Sequence, residues 1–238
     1  MSNLPGYILN GCTNFVQAFF PVHCALCGAA SPDRALCAAC DADLPHHALP
    51  ACPVCALPTP DGQVCGACLR RPPAFGRTLA AFSYGFPIDR LLQAFKYAGN
   101  LTLAEALAEP LARLAAAHPK PDLLLPMPLH PARLKERGFN QALEIAKPLS
   151  RRLDIPLAAD ACRRTRDTPS QAGLEWKQRR RNVRGAFACD LDLAGKKVAV
   201  LDDVMTTGST LEELGRVLLK CGAAEVSAWV VARTPKHA

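Results

Sequence analysis

Apolar residues follow two rhythms along this chain, and the rhythm changes near residue 75. Beyond that point, short near-continuous apolar runs alternate with longer stretches whose apolar positions recur every three or four residues. The first kind suits strands covered on both faces, the second helices with one covered side. Leu79–Tyr84 reads as a strand and Asp89–Tyr97 as a short helix. Leu103, Leu107, Leu111 and Leu114 mark a second helix, which Pro110 is expected to kink or restart. Asp122–Pro126 reads as a buried strand, Asn140–Leu153 as a helix and Pro156–Cys162 as a strand. Lys197–Leu201 is a further strand. Thr210–Cys221 is a helix with Leu211, Leu214, Val217 and Leu218 on one face, and Gly222 is its left-handed stop. Val226–Ala232 closes the set. Strands separated by helices predict an α/β fold, a twisted parallel sheet flanked by helices.

Before residue 75 the apolar runs are short, Pro and Gly are frequent, and nine of the twelve cysteines are found. Two prolines stiffen Arg71-Pro72-Pro73-Ala74-Phe75, the expected linker between a module at 1–75 and a domain at 76–238. Tyr7–Phe20 is mildly apolar but broken by Asn10, Thr13, Asn14 and Gln17, and reads as a short amphipathic helix. No run approaches the roughly 20 apolar residues of a membrane span, and no targeting segment is evident. A reducing, cytoplasmic location is expected, where so many cysteines call for something other than disulfides.

Their spacing supplies it. Cys24-x2-Cys27-x9-Cys37-x2-Cys40 is repeated as Cys52-x2-Cys55-x9-Cys65-x2-Cys68. Paired C-x2-C knuckles offer two thiolates at the bite that tetrahedral zinc needs. One or two structural zinc ions are therefore expected, with sequential pairing the simplest arrangement and interleaved ligation open. His23, His46 and His47 flank the knuckles as spare donors. Cys12, Cys162, Cys189 and Cys221 have no such partner and read as small buried apolar groups. So short a module lacks a sufficient core, so metal should supply much of its folding free energy.

Formal net charge is +7, and residues 163–184 hold most of the excess. Arg163, Arg164, Arg166, Lys177, Arg179, Arg180, Arg181 and Arg184 stand there against Asp167 and Glu175. An anionic partner such as phosphate, diphosphate or nucleic acid is implied.

A candidate phosphate site lies at Val198-Ala-Val-Leu-Asp-Asp-Val-Met-Thr-Thr-Gly-Ser-Thr210. A buried strand ends in Asp202 and Asp203, and the loop Thr206, Thr207, Gly208, Ser209, Thr210 opens a helix. Backbone N–H groups, hydroxyls and the helix N-terminus together make a cradle for one phosphate monoester. Two adjacent acids beside it suit sugar hydroxyls, and a cation developing on the sugar, better than more phosphate. Neither a P-loop nor a G-x-G-x-x-G turn occurs.

This segment resembles the phosphoribosyl-diphosphate motif of type I phosphoribosyltransferases. The likeness extends to the ComF/GntX-like family, associated with natural competence and DNA utilisation, over most of the chain from about residue 20. It includes the cysteine knuckles, Tyr84 with Pro87, Leu-Leu-Gln-Ala-Phe-Lys-Tyr97, and Arg137-Gly138-Phe139-Asn140-Gln141. Gln171, Arg180, Asn182, Val183 and Gly185-Ala186-Phe187 also belong to it. The resemblance implies a type I phosphoribosyltransferase fold with a mobile hood and an N-terminal double zinc ribbon. It gives Asp202 and Asp203 the ribose hydroxyls, Thr206–Thr210 the 5′-phosphate, and Met127, Pro128, Leu129 and His130 the pyrophosphate. The basic 163–184 segment would be the flexible catalytic loop, and Lys96 and Arg137 further diphosphate contacts. Mg²⁺ would accompany the diphosphate.

Two functions follow. One is transfer of the phosphoribosyl group to an unidentified acceptor, with Asn at both 202 and 203 expected to abolish turnover and spare the fold. The other is a binding role toward single-stranded DNA or a competence protein, with the ligand site regulatory. Trp176 is the lone aromatic in the basic run, so stacking platforms are not evident there.

Overall fold

The computed structural model describes residues 23–167 and 183–235. Two compact units divide the chain, Met1–Leu44 and Pro45–Ala238. In the first, a knuckle at Cys24–Cys27 and the short helix α1 (Ala38–Ala42) carry four cysteines. The amphipathic helix expected over 7–20, and Cys12, lie outside the described residues.

The second unit begins with the repeat of that ribbon, ending in α2 (Gly66–Arg70). Then follow β1 (Arg77–Ser83), α3 (Ile88–Tyr97), α4 (Leu103–Ala116), β2 (Leu123–Pro126), α5 (Pro131–Arg137) and α6 (Gln141–Leu153). A small pair, β3 (Cys162–Arg164) and β4 (Phe187–Cys189), precedes β5 (Lys197–Met205), α7 (Ser209–Lys220) and β6 (Glu225–Arg233). The main sheet is parallel throughout, in the order β1-β6-β5-β2. Its central strands are the continuous apolar runs, as burial on both faces demands.

The pleat sorts those runs into two layers. Ala80, Leu125, Val198, Val200, Val226, Ala228 and Val230 share one core cluster with Leu211, Leu214 and Leu218 of α7. Alternate strand residues face the other way, toward α4 and α6, which pack on each other and on the sheet. Gly215 lets α7 approach closely: a Cβ there would lie 3.2 Å from both Ala74 Cβ and Ala74 O.

Two local expectations change. Pro110 sits within a continuous α4, which neither breaks nor restarts. The strand expected at Pro156–Cys162 is a single parallel bridge, Leu157 to Leu124 at the sheet edge. Cys162 instead begins β3, antiparallel to β4. Gly222, at φ +95°, does end α7 as expected. Among the described residues no helix is long and apolar enough to cross a membrane.

Candidate functional site

In a parallel sheet every strand delivers its following loop to the same edge, and ligands settle where the order reverses direction. Here β5 is that position. The chain leaves it through α7 to β6 on one side, and β2 lies on its other side. Met127, just past β2, donates its N–H to Leu201 O at 2.8 Å, which fixes the loop after β2 beside the end of β5.

Asp202 and Asp203 are consecutive strand residues, so their side chains leave opposite faces. Asp202 follows Val198 and Val200 and is half-buried. Asp203 points to the helical layer beyond, is 4% exposed, and pairs with Lys96 of α3. Burial opposes the charge on Lys96, but the Asp203 carboxylate outweighs it and holds its proton affinity above the ordinary value. Asp202 has no ion-pair partner among the described residues. Burial, then repulsion from Asp203, pushes its carboxyl up to about 8 against the pull of Lys96. The two neighbouring acids thus differ: Asp203 is ion-paired with Lys96, whereas Asp202 Oδ1 accepts only the Asp203 N–H at 2.9 Å and pairs with no cation among the described residues.

The loop after β5 is a tight, hydroxyl-lined turn. Gly208 caps α7 in the left-handed region at φ +76°, and a Cβ there would fall 2.7 Å from the Met205 methyl. Thr207 Oγ1 and Ser209 Oγ share a 2.9 Å hydrogen bond, and Ser209 N–H donates to Thr207 Oγ1 at 3.3 Å. Thr206–Thr210 therefore lie together between Met205 and the first turn of a twelve-residue helix, whose dipole favours an anion.

Pro128, Leu129 and His130 follow Met127 and lead into α5. His130 is its N-cap, Nδ1 accepting from Ala132 N–H at 3.3 Å with Pro131 at the first helical position. Its Nδ1 also lies 3.8 Å from Asp167 Oδ1. Arg137, in the last turn of α5, stacks over Tyr97 at 5.6 Å and donates to Gln141 Oε1. Asn140 ties the next helix back, its Nδ2 donating to Met127 O at 3.1 Å while its Oδ1 caps α6.

The eight knuckle cysteines form two groups of four, Cys24/27/37/40 and Cys52/55/65/68, with all sulfurs of each within 4.8 Å of one another. Pairing is sequential, and no histidine belongs to either group. The Cys27–Cys37 and Cys55–Cys65 sulfurs are each 3.7 Å apart. That is close to the roughly 3.8 Å edge of a tetrahedron with metal–sulfur bonds of about 2.3 Å. Burial raises the Cys24 thiol, but backbone N–H groups of Cys27, Cys37 and Leu26 outweigh it and bring it down to about 6. Hydrogen bonding with Cys27 and Cys37 pushes Cys40 up to about 12. Four crowded thiols compete for protons until a divalent cation compensates them, and these donor sets fit structural zinc.

The double zinc ribbon domain family matches residues 15–69, and the phosphoribosyl transferase domain family matches residues 140–238. The DNA utilization protein YhgH of Escherichia coli (strain K12) is 34% identical over 89% of this chain and 90% of its own length. Competence protein F of Haemophilus influenzae is 35% identical over 69% of this chain and 76% of its own. The chain belongs to the ComF family. A purine phosphoribosyltransferase from Pyrococcus horikoshii, with TM-score 0.35 and 25% identity, aligns over 57% of this chain and 84% of that one.

In this ComF-family chain the β3–β4 pair stands at the base of the basic segment. Arg163 pairs with Asp190, and Arg166 donates to Arg184 O at 2.7 Å. Arg164 lies over the Phe187 ring at 5.6 Å. Burial lowers its proton affinity, and the Asp202 and Asp167 charges oppose that loss. Gln171, Glu175, Trp176, Lys177, Arg179, Arg180, Arg181 and Asn182 lie outside the described residues. Cys162 is buried as expected, but Cys189 and Cys221 are only half-buried, because β4 and the end of α7 lie nearer the surface.

Arg233 escaped the sequence reading altogether. It is 4% exposed and its guanidinium reaches the carbonyls of Cys55, Met205, Thr206 and Thr234. The available signal was a single cation ending the apolar run of β6.

Proposed function

We propose that residues 76–238 bind phosphoribosyl diphosphate with Mg²⁺ and transfer its phosphoribosyl group, with residues 1–75 as the zinc-bearing module. One observation carries this reading: a half-buried Asp202, with no ion-pair partner among the described residues, stands near the end of β5, shortly before a hydroxyl-lined turn that opens α7. The Thr206–Thr210 turn would take the 5′-phosphate, and Asp202 would accept from ribose hydroxyls. Asp203 would act at the same strand end, its charge already balanced by Lys96. The loop Met127–His130 and Arg137 would face the diphosphate. Mg²⁺ would neutralise charge on the departing diphosphate. At the anomeric carbon the bond to diphosphate would break as an acceptor attacks, and the Asp202 carboxylate would stabilise the positive charge that builds on the sugar.

The names of the relatives tie them to competence and DNA utilisation, so we infer an acceptor or partner met in DNA handling, including single-stranded DNA or a competence protein. The test is pyrophosphate release from phosphoribosyl diphosphate and Mg²⁺ across a panel of nucleobases and amines. Release with one acceptor, lost in Asp202→Asn, is the expected result. Release unchanged in that variant would remove Asp202 from the chemistry. Binding without release for any acceptor would favour the regulatory reading.

A further inference from the structure

Arg233 ends β6 beneath the turn that follows β5. Nε donates to Cys55 O at 2.8 Å, and Nη1 donates to Met205 O at 2.9 Å, to Thr234 O at 2.8 Å and to Thr206 O. No carboxylate pairs with it among the described residues. A guanidinium so enclosed needs a nearby anion, because its desolvation is otherwise uncompensated. The anion at hand is the second cysteine group, to which Cys55 belongs. Four thiolates around one Zn²⁺ leave a formal charge of about −2.

The same fork sets the direction of two peptides. Both are trans, so each carbonyl lies opposite the N–H of its own peptide unit. With the Met205 and Thr206 oxygens held by Arg233, the N–H groups of Thr206 and Thr207 point away from it. Other contacts link the same knuckle to the sheet below the turn, with Thr78 Oγ1 also 4.0 Å from Met205 Sδ. Thr78 donates its hydroxyl to Val54 O at 2.6 Å and its N–H to Pro53 O at 3.0 Å. Phe75 lies under Gly208, and Cys52, Cys55 and Cys68 share one core cluster with Met205 and Leu211.

We propose that Arg233 is a positioning residue that couples zinc at Cys52/Cys55/Cys65/Cys68 to the peptide orientation of the Met205–Thr207 turn, so that phosphate-group binding requires metal at this site. The zinc–thiolate group here serves as the counter-charge of a buried arginine as well as a crosslink. The consequence for binding rests on the phosphate reading of 206–210, but the coupling of metal to turn does not.

The test uses the full-length zinc-loaded protein, measuring zinc content, hydrogen exchange across 204–208 and calorimetric binding of phosphoribosyl diphosphate with Mg²⁺. Arg233→Lys keeps the charge but cannot span both sides with one ammonium. It should retain zinc while exchange at 204–208 quickens on the order of tenfold and ligand affinity falls. Arg233→Met should in addition lose zinc from the second site. Cys27→Ser, in the first group, should lower zinc by about one equivalent without altering exchange at 204–208. Should Arg233→Met not fold, chelation of zinc from the wild type gives the same reading, with exchange compared before and after. Wild-type exchange in Arg233→Lys, or in the stripped protein, would overturn the coupling. Absence of ligand binding by wild type, with the exchange and zinc changes intact, would instead overturn the phosphate reading alone.

Discussion

Asp202 and Asp203 are chemically identical and one residue apart, yet the pleat gives them different surroundings and therefore different mutational signatures. Asp203→Asn leaves Lys96 enclosed without its anion and should cost about 3 kcal/mol of stability. Chemical denaturation of the variant checks this. The double Asn variant is thus not the neutral change for the fold that the linear motif suggests, and Asp202→Asn alone is the cleaner probe. A carboxyl whose proton affinity is raised on folding loses stability as pH climbs from its unfolded value near 4 through about 8. Below both values it contributes nothing. Asp202→Asn should therefore raise the melting temperature at about pH 9 and leave it unchanged at about pH 4. Ligand binding by the wild type should strengthen over the alkaline part of the same interval as Asp202 ionises, and the variant should lose that slope. A wild-type-like slope in Asp202→Asn would assign the titration elsewhere. The acid pair was legible in the sequence because it is local. Its ion pair was not, since Lys96 reaches Asp203 only once α3 has docked on the sheet.

Elements differ in the same way. The cysteine ribbons were readable to the residue, because C-x2-C geometry is set within a few residues. The longer helices and central strands were readable from period alone. Pro110 does not restart the helix, because a long amphipathic helix with buried Leu103, Leu107 and Leu111 outweighs one lost hydrogen bond. The β3–β4 pairing went unseen because its partners are separated by the basic segment. Gly208 tests the element that matters most here. Gly208→Ala forces a side chain into the left-handed region and against Met205. A loss of about 1–2 kcal/mol is expected, together with loss of ligand binding. An unaltered turn would show that the loop tolerates another backbone path. Removing zinc from the second ribbon should destabilise the sheet that shares its core, read as a lowered melting temperature of the Pro45–Ala238 unit.

At the scale of the whole molecule, a zinc-bearing ribbon is built into the core of a parallel α/β sheet, and a ComF-family chain presents one hydroxyl-lined turn at the carboxyl end of its central strand. If the basic segment also tracks DNA, single-stranded DNA affinity should fall steeply with salt, and a flat dependence would exclude a phosphate-following groove. Arg163 is already paired with Asp190, which reduces its part in any such groove. The central claim concerns a smaller ligand, a sugar phosphate gripped between Asp202 and the turn. Calorimetric titration with phosphoribosyl diphosphate, with and without Mg²⁺, tests it most directly. Saturable one-to-one binding that strengthens with Mg²⁺ and weakens at least tenfold in Asp202→Asn is the expected result, on the order of the one hydrogen bond to charge that is lost. No heat from the zinc-loaded wild-type protein, or equal heat from the variant, would contradict it.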